Sequence, residues 1–478
     1  MWIAIRLPQL PLEIFLCGVS TPEPFAVEER RRVVACDRKA ARRGVYAGMP
    51  VAAALALAPQ LRIAPRDSAA ETEALLGLAS WAGQFTPTVA IEFHDTVLLD
   101  VSGSLRLFDG LESLVGRLRS GLVDMGWSAE LAGAPTSRAA CWLARAGGRK
   151  FVVPGELEQA LSDLPVEVMS CEDGTSEALH AVGVRTLGSL SALPRDGVAR
   201  RFGQRLVDDL DRALGRLPDP RNLFVSPATF RADIELPAEV TQTEALLFAA
   251  RRLIVQLAGF LAARLGGVQR FVLRLGHRDK APTEIAIGLL APSRDAEHFV
   301  LLLRERLSNL VLREPVRSIA LRAEDVVPLA GRDAGLLLEE GRPPGDWKHL
   351  IERLRSRLGA GAVHGLASRA EHRPERVLVR DAVVPGQPQR IPADAAEFPL
   401  RPFWLLDPPK PLREIGAAPY CEGPLELLAG PERIESGWWD GEDVARDYFV
   451  ARMQNEALVW IYRERRGEGA WYLHGVFA

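Results

Sequence analysis

The feature that most constrains the fold is the alternation of short strand patterns with amphipathic helix patterns along the first 146 residues. Residues 2–7 and 88–101 place apolar side chains at alternate positions, as strands do, and residues 128–134 continue this pattern. Helix patterns separate these strands, at 38–58 (two short helices, the second opened by Pro50), 70–84, 111–125 and 137–146. Strands that alternate with crossing helices predict an α+β layer.

A second alternating set follows later in the chain. Helix patterns at 246–265 and 298–310 accompany strand patterns at 268–275, 284–290 and 318–324, which predicts a small sheet backed by two helices. Its neighbours are predicted to be a pair of short helices within 166–216, a Pro-rich linker at 217–232, a helix at 346–358 and a Pro-rich tether at 371–417.

Length and composition describe an ordinary globular chain with several domains. The 478 residues exceed what one core holds, so we expect about three to five domains, and 47% hydrophobic with 25% charged residues excludes a disordered chain. We expect no membrane span and no signal peptide, because no apolar run is long enough and the N-terminus lacks a basic region. The cysteines are scattered and predict a reducing cytoplasm rather than a zinc site: Cys17, Cys36, Cys141, Cys171 and Cys421. The eight histidines are dispersed and predict no metal centre.

The charge distribution is more informative than the net charge of −3. Residues 251–280 hold seven basic side chains against Asp279 alone, whereas residues 421–447 hold eight acids against Arg433 and Arg446. This asymmetry indicates one surface for a polyanion and another for a protein, although two solvated faces would give the same pattern.

Two segments are candidates for contact with a nucleic-acid backbone. The turn Val182-Gly183-Val184 between two short helices is similar to a helix-hairpin-helix, whose N–H groups bind phosphate without reading sequence, but a plain helical packing unit explains it nearly as well. In the strand 268–275, Arg270 and Arg274 share one face and could follow a phosphate backbone. The DNA-binding candidates are Gly183, Val184, Arg185, Arg251, Arg252, Arg270, Arg274, Arg278 and Lys280.

The last 41 residues are rich in aromatic side chains, with strands predicted at 458–463 and 470–477. Such density is typical of the core of a small β-module, but aromatic side chains also anchor protein partners. The partner-binding candidates are Trp438, Trp439, Tyr448, Trp460 and Trp471.

Several runs of residues resemble the Y-family of translesion DNA polymerases. VVACDRKAARRGVYAGMPVAAALALAPQLRIAPRD (33–67) resembles the fingers, HDTVLLDVSGS (94–104) the acidic palm strand and LAGAPTSRAACWLARAG (131–147) the next strand and helix. The hairpin at 181–185 resembles the thumb, and 240–325 the little finger. The resemblance implies an α+β polymerase-like right hand with palm, fingers, helix-hairpin-helix thumb and little finger, plus a C-terminal extension with a small β-module. The implied domains are 1–10 with 76–165 (palm), 11–75 (fingers), 166–232 (thumb and linker), 233–345 (little finger), 346–420 (helix and tether) and 421–478 (C-terminal module).

The chain departs from this family at the catalytic positions. The first-strand acids fall at Pro8 and Leu10, and the Asp-Glu pair falls at Asp95 and Thr96. Two Mg²⁺ ions on a transferring phosphate need several converging carboxylates, so we expect no catalytic residue, no metal and no cofactor. Asp95 is then a vestigial ligand or, more simply, an Asp that bonds nearby backbone.

Four further positions bear on this expectation. The nucleotide-facing Tyr and Arg of the family fall near Arg38 and Ala41, which puts triphosphate binding in doubt. Glu92 and Asp100 are the residues that could assemble an atypical metal site, and Mg²⁺ would be needed only in that case.

Five motifs resemble the ImuB family, the polymerase-like accessory proteins of bacterial damage-induced mutagenesis: MWIAIRLPQLPLE, LDVSGSLRLFDG, HRPE (372–375), PERIESGWWDGEDVARDYFVAR and WYLHGVFA. This resemblance implies a non-catalytic adaptor of the SOS response that binds primer-template DNA. The implied protein partners are the sliding clamp, a RecA-like protein (ImuA) and an error-prone replicative-type polymerase (ImuC).

The expected clamp-binding peptide is hard to place. The nearest string is Gln242 with Leu246, Leu247 and Phe248, and its apolar residues fit equally well as the buried start of a helix. Gln387 and Gln389 fit less well.

Two other functions compete with the adaptor. An active translesion polymerase with a rebuilt metal site would extend primers with Mg²⁺, and a regulator that contacts only proteins would not bind DNA. The sequence holds no GxxxxGK[ST], HExxH or GxSxG motif for other chemistry.

Overall fold

The structure is a computed structural model that describes residues 1–16, 23–92, 94–147, 151–169, 174–312, 314–329, 346–381 and 401–477. Cys17, Cys171, Gln387 and Gln389 lie outside the described residues. The chain divides into two compact units, Met1–Arg357 and Leu358–Ala478.

The first part of unit one contains the palm and the fingers. Its elements are β1 (Trp2–Arg6), α1 (Leu10–Glu13), β2 (Phe25–Glu29), β3 (Arg32–Cys36), α2 (Arg38–Ala41), α3 (Val51–Leu57), β4 (Arg62–Pro65), α4 (Ser68–Ala82), β5 (Val89–Glu92), β6 (Thr96–Asp100), α5 (Leu111–Asp124), β7 (Glu130–Ala134) and α6 (Ser137–Arg145). The palm sheet is antiparallel in the order β5-β6-β1-β7, and the fingers sheet has the order β3-β2-β4. The strands and helices predicted within residues 2–146 are confirmed.

Side-chain alternation explains how the palm sheet is covered. Ala4 and Leu98 face α6 and join one core, whereas Ile3, Ile5 and Val97 join the core under α4 and α5. Both faces are therefore buried along the middle of the strands, and polar side chains are confined to the strand ends.

A helical segment follows the palm. It contains α7 (Leu157–Ser162), α8 (Thr175–Ala181), α9 (Leu187–Ser191), α10 (Arg195–Phe202) and α11 (Gln204–Ala213). Val184, Leu187 and Leu210 pack into the same core as α6.

The little-finger region completes unit one. Its elements are β8 (Phe230–Val240), α12 (Thr243–Ala263), β9 (Gly266–Gly276), β10 (Thr283–Ser293), α13 (Ala296–Ser308), β11 (Val316–Ala323), β12 (Val326–Pro328) and α14 (Asp346–Leu358). The sheet order is β10-β9-β11-β8, with β12 paired to β9. Phe260, Phe271 and Phe299 fill the core between the sheet and the helices α12 and α13. The predicted sheet backed by two helices is confirmed, and β8 was not predicted.

Helix α12 is buried on two sides, since it also packs against α4 of the palm. A Cβ atom at Gly259 of α12, or at Gly121 of α5, would collide with the indole of Trp81 on α4. The 21 residues of α12 also have the length and mean hydropathy of a membrane span, which the sequence reasoning overlooked. Burial in unit one accounts for this apolar character.

Unit two is built mainly of strands. It contains β13 (Gly365–Ser368), α15 (Pro374–Val377), β14 (Leu378–Asp381), β15 (Trp404–Pro411), β16 (Arg413–Ile415), β17 (Ala418–Tyr420), β18 (Glu426–Ser436), β19 (Val444–Arg452), β20 (Leu458–Glu464) and β21 (Trp471–Val476). The main sheet has the order β15-β21-β20-β19-β18. The predicted C-terminal strand pair is confirmed. The predicted tether at 371–417 is wrong for residues 404–411, because β15 pairs with β21.

Candidate palm site and nucleic-acid interface

One end of the palm sheet carries a row of polar side chains on the face toward α6. Arg6 of β1 lies opposite Thr96 of β6 and Glu130 of β7, and Thr96 lies opposite Glu92 of β5. Residues that are directly opposite on neighbouring strands lie side by side, so this row brings two acids and a guanidinium together.

Arg6 is the cation of this row. Its Nε lies 2.8 Å from Asp95 Oδ2, and its Nη1 lies 3.0 Å from Glu130 Oε2. The other Asp95 oxygen accepts a hydrogen bond from Thr96 Oγ1 at 2.8 Å. Both oxygens of the vestigial carboxylate therefore already have donors.

The lost catalytic positions lie beside this cluster. Pro8 and Asp95 line a cavity of about 600 Å³ together with Arg6 and Arg145, and Leu10 is fully buried in α1. Burial lowers the pKa of the Arg145 guanidinium, although nearby anions including Asp95 oppose this effect. The cavity also contains Glu71 and Glu167, but Glu71 pairs with Arg66 at 2.8 Å and Glu167 lies 2.9 Å from His180.

The remaining palm acids are also paired. Glu92 pairs with Arg221 and lies 3.7 Å from Arg138, and Asp219 pairs with both arginines. Burial opposes ionisation of Asp219, but the hydrogen bond from Ser137 and the two arginines outweigh it and hold its pKa below the usual value.

Arg221, which organises this cluster, lies in the predicted linker and was missed by the sequence reasoning. Asp100 lies by the N-terminal amine, 3.6 Å away, and accepts hydrogen bonds from Ser102. Mg²⁺ needs several charged oxygen ligands, and these carboxylates are held by guanidinium groups or by the amine, so the palm residues do not fit a two-metal site.

The fingers positions that were compared with nucleotide-binding residues are on α2. Arg38 is exposed at its first residue, and Ala41 is its last. The side chain of Asp37 caps this helix by accepting a hydrogen bond from Ala40 N at 2.7 Å.

The predicted hairpin is formed by α8, the turn at Gly183 and α9. Gly183 adopts φ +83°, which favours glycine. However, the N–H groups of Gly183 and Val184 donate to His180 and Leu179 carbonyls, and the Val184 side chain is buried. Those N–H groups are therefore not directed at a phosphate, which corrects the expectation for these two residues. Arg185 is exposed, and so are Arg200 and Arg201 at the end of α10, which the sequence reasoning did not single out.

The outer face of the little-finger sheet, opposite α12 and α13, carries several arginines. Arg270 and Arg274 lie on it as predicted, and two arginines that the sequence reasoning missed join them. Arg322 of β11 lies directly opposite Arg231 of β8. Like charges placed opposite each other destabilise a sheet, so this pair favours an anionic ligand.

Acids neutralise part of this face. Arg231 pairs with Asp233 at 3.0 Å, and Arg274 lies 3.9 Å from Glu284. Arg278 and Lys280, at its edge, pair with Glu239 and Glu314. Within the part of the chain that the structure describes, Arg270 and Arg322 form no ion pair. We define the outer basic face as Arg231, Arg270, Arg274 and Arg322.

Two other predicted DNA contacts do not belong to this face. Arg252 is buried, with its guanidinium 3.5 Å from the centre of the Trp127 ring, so it is unsuited to DNA contact. Arg251 lies beside it on α12 and pairs with Glu297 at 2.8 Å. Both arginines lie on a helix that is packed between palm and sheet, which periodicity could not reveal.

The clamp string lies at the start of α12. Gln242 precedes the helix, Leu246 is fully buried, Leu247 packs against the core, and Phe248 is 62% exposed. A partner that binds this string as an extended peptide would have to withdraw Leu246, at a cost of about 2 kcal/mol. The buried-helix alternative is thus the better description of these residues.

The aromatic residues of unit two divide into two groups. Tyr448, Trp460 and Trp471 are buried in the sheet, which corrects their assignment as partner contacts. Trp438 and Trp439 are 78% and 57% exposed and lie edge to face in the loop between β18 and β19. We call this pair the tryptophan loop.

The HRPE motif explains how the tryptophan loop is held. Arg373 is buried and donates two hydrogen bonds to Asp440, at 3.1 and 2.6 Å, and a third to Glu371 at 2.7 Å. Its hydrogen bonds lower the pKa of Asp440, and they lower the pKa of Glu371 to about 2. Gly437 is required beside it, because a Cβ there would lie 2.6 Å from Arg373 Nη1.

Comparisons with known proteins agree with the resemblance. Residues 20–145 match the model of the impB/mucB/samB family. The chain is similar to the protein ImuB of Caulobacter vibrioides (strain NA1000 / CB15N), with 31% identity over 466 residues that cover 91% of this chain and 100% of the relative. It is also similar to DNA polymerase IV of Shewanella sp. (strain MR-7), with 24% identity over 326 residues that cover 65% of this chain and 88% of the relative.

Solved structures were compared as well. The crystal structure of DinB from Sulfolobus solfataricus is 18% identical, with a TM-score of 0.39, and the match covers 69% of this chain and 99% of that chain.

Proposed function

The chain belongs to the ImuB family of polymerase-like DNA damage proteins, and from this premise we propose that it is a non-catalytic adaptor that binds primer-template DNA. The observation that carries the proposal is the pairing of Arg6 with Asp95 and Glu130 at the end of the palm sheet. A guanidinium group bonded to these carboxylates supplies the positive charge that metal ions would otherwise bring. The α+β class and the family predicted from the sequence are confirmed; catalytic inactivity and the adaptor role are proposals.

In this proposal, DNA binds to the outer basic face and to Arg185 of the hairpin. Arg185, Arg231 and Arg270 are exposed and Arg274 and Arg322 are half-buried. A sheet face with spaced guanidinium groups suits phosphate contacts that do not depend on sequence. Such binding weakens with salt, because each neutralised phosphate releases counterions.

In this proposal, unit two binds the protein partners. The tryptophan loop offers two exposed indoles on a fixed backbone, and aromatic side chains of this kind dominate protein interfaces. We infer that a sliding clamp, a RecA-like protein and an error-prone replicative-type polymerase are the partners, in a cytoplasmic setting, and that the tryptophan loop contacts at least one of them.

The test combines primer-template binding with primer extension by the full chain. We expect binding whose logarithm falls linearly with the logarithm of the salt concentration, and no extension with Mg²⁺ or Mn²⁺ and all four nucleotides. Extension that disappears in Asp95→Ala would establish an active polymerase instead. Binding without a salt slope, or no binding, would favour a regulator that contacts only proteins.

The partner assignment has its own test. Trp438→Ala combined with Trp439→Ala should abolish capture of a partner by the full chain while DNA binding stays unchanged, because both side chains are exposed. Leu458→Ala, another exposed apolar residue of the same unit, is the matched control. Unchanged capture of all three partners by the double variant would exclude the tryptophan loop as their contact.

A further inference from the structure

Two histidines and a glutamate that are distant in the sequence meet between α13 and α14. His298 lies on α13, and His349 and Glu352 lie one helical turn apart on α14. One ligand atom from each lies within 4.8 Å of the other two. The sequence reasoning expected the histidines not to cluster, so this group corrects that expectation.

The burial of the group is uneven in a way that suits an ion site. The side chains of His298 and Glu352 are 3% and 4% exposed, whereas His349 is exposed. An ion could therefore enter from the side of His349 and keep water there, while His298 and Glu352 bind it from the interior. This arrangement, with three protein ligands and one open position, is found in zinc sites that bind water.

The inner carboxylate is already oriented by the backbone. Glu352 Oε1 accepts a hydrogen bond from Leu290 N at 2.6 Å, which directs Oε2 toward His298 Nε2, 2.5 Å away. Such a second contact fixes a ligand and is typical of built metal sites. The stacked His349 ring, 3.9 Å from the His298 ring between centroids, is the ligand that has to turn.

We propose that His298, His349 and Glu352 bind a divalent transition-metal ion, with Zn²⁺ as the ion that two imidazoles and a carboxylate suit best. Tetrahedral ligands of Zn²⁺ lie about 3.4 Å apart, so His298 Nε2 and Glu352 Oε2, now 2.5 Å apart, have to separate by roughly 1 Å, and the exposed His349 has to turn toward them.

Binding replaces the His298–Glu352 hydrogen bond. The neutral imidazole of His298 then carries its proton on Nδ1, and Nε2 and the Glu352 carboxylate each donate a lone pair to the ion. Protons compete with the ion for both atoms. Affinity consequently falls as the pH falls.

The ion would tie α14 to the rest of unit one. The two helices are already joined at the surface by Arg353 and Glu305, 3.0 Å apart, and by the bond from Asn309 to the Arg357 carbonyl. A metal bridge in the interior would fix α14, the last helix of unit one, to α13.

The test is a Co²⁺ titration of the full, metal-free chain, followed by visible absorption. We expect d–d bands that appear with saturation, disappear when Zn²⁺ is added, and are lost in His349→Ala, whose exposed site allows the variant to fold. His180→Ala is the matched control, since His180 lies 2.9 Å from Glu167 and has no third ligand among the described residues, and it should leave the bands unchanged. Absence of the bands in the natural chain, or their persistence in His349→Ala, would overturn the proposal.

Discussion

Arginines at the end of the palm sheet and arginines of the outer basic face differ in their partners. In the palm, Arg6 and Arg221 are each bonded to carboxylates, and Arg221 is only 7% exposed. On the little-finger sheet, Arg270 and Arg322 have no acidic partner among the residues that the structure describes, and Arg322 faces Arg231. Arg6 and Arg221 therefore act as counter-ions inside the protein, whereas Arg270 and Arg322 are suited to bind an anion from outside it.

The largest expected effect of this difference is on stability. Arg221→Ala removes one of the two guanidinium groups that pair with the partly buried carboxylates Glu92 and Asp219, so the free energy of unfolding should fall by about 2 kcal/mol. Denaturant unfolding of unit one measures this change. Arg216→Ala, which breaks an exposed ion pair with Glu158, is the control and should change stability by less than about 1 kcal/mol. Equal changes in the free energy of unfolding for the two substitutions would contradict the view that palm arginines contribute more to stability than surface arginines.

A smaller effect is expected on DNA affinity. Arg270→Ala combined with Arg322→Ala removes two phosphate contacts, so the salt slope of primer-template binding should decrease by about 2 while stability changes little. Fluorescence anisotropy at several salt concentrations measures the slope. Arg433→Ala in unit two, where Arg433 pairs with Asp447, should leave it unchanged. A full slope in the double variant would show that DNA binds elsewhere.

The smallest effect concerns pH. The folded-state pKa of Asp219 lies below its ordinary value of 3.8, so the unfolded chain binds more protons and the stabilisation is lost as the pH falls through the folded pKa. Asp219→Asn should therefore flatten the decrease in stability below about pH 4 by a fraction of the effect of Arg221→Ala. Urea unfolding between about pH 6 and about pH 2.5 measures it. Parallel curves for the natural chain and the variant would contradict this assignment.

Periodicity predicted most elements of the palm and of the little-finger region, but only β20 and β21 of unit two. Two of the strands that it missed, β8 and β15, share a cause. β8 contains Pro237 and β15 contains Pro408, Pro409 and Pro411, and a proline within an apolar run argues against a strand. Both are edge strands of their sheets, where a missing N–H is tolerated. A sequence does not state which strand will be an edge.

Burial was the second limit of the sequence reasoning. Trp460 and Trp438 belong to the same aromatic segment, yet one lies in a sheet core and the other in a loop. Arg252 and Arg270 belong to the same basic run, yet one is packed against Trp127. Residue type and local pattern are alike within each pair, and only tertiary packing distinguishes their roles. The pairing of His298 with Glu352 depends on packing for the same reason.

The indole of Trp81 holds the little-finger region firmly against the palm. It fills the space that Gly121 and Gly259 leave, so swinging α12 away from α4 would open a void the size of an aromatic ring, at about 3–5 kcal/mol. Thermal motion supplies far less than this at any one contact. The palm and the little finger should therefore move together as one frame, and a nucleic acid that does not match the frame has to deform to fit it.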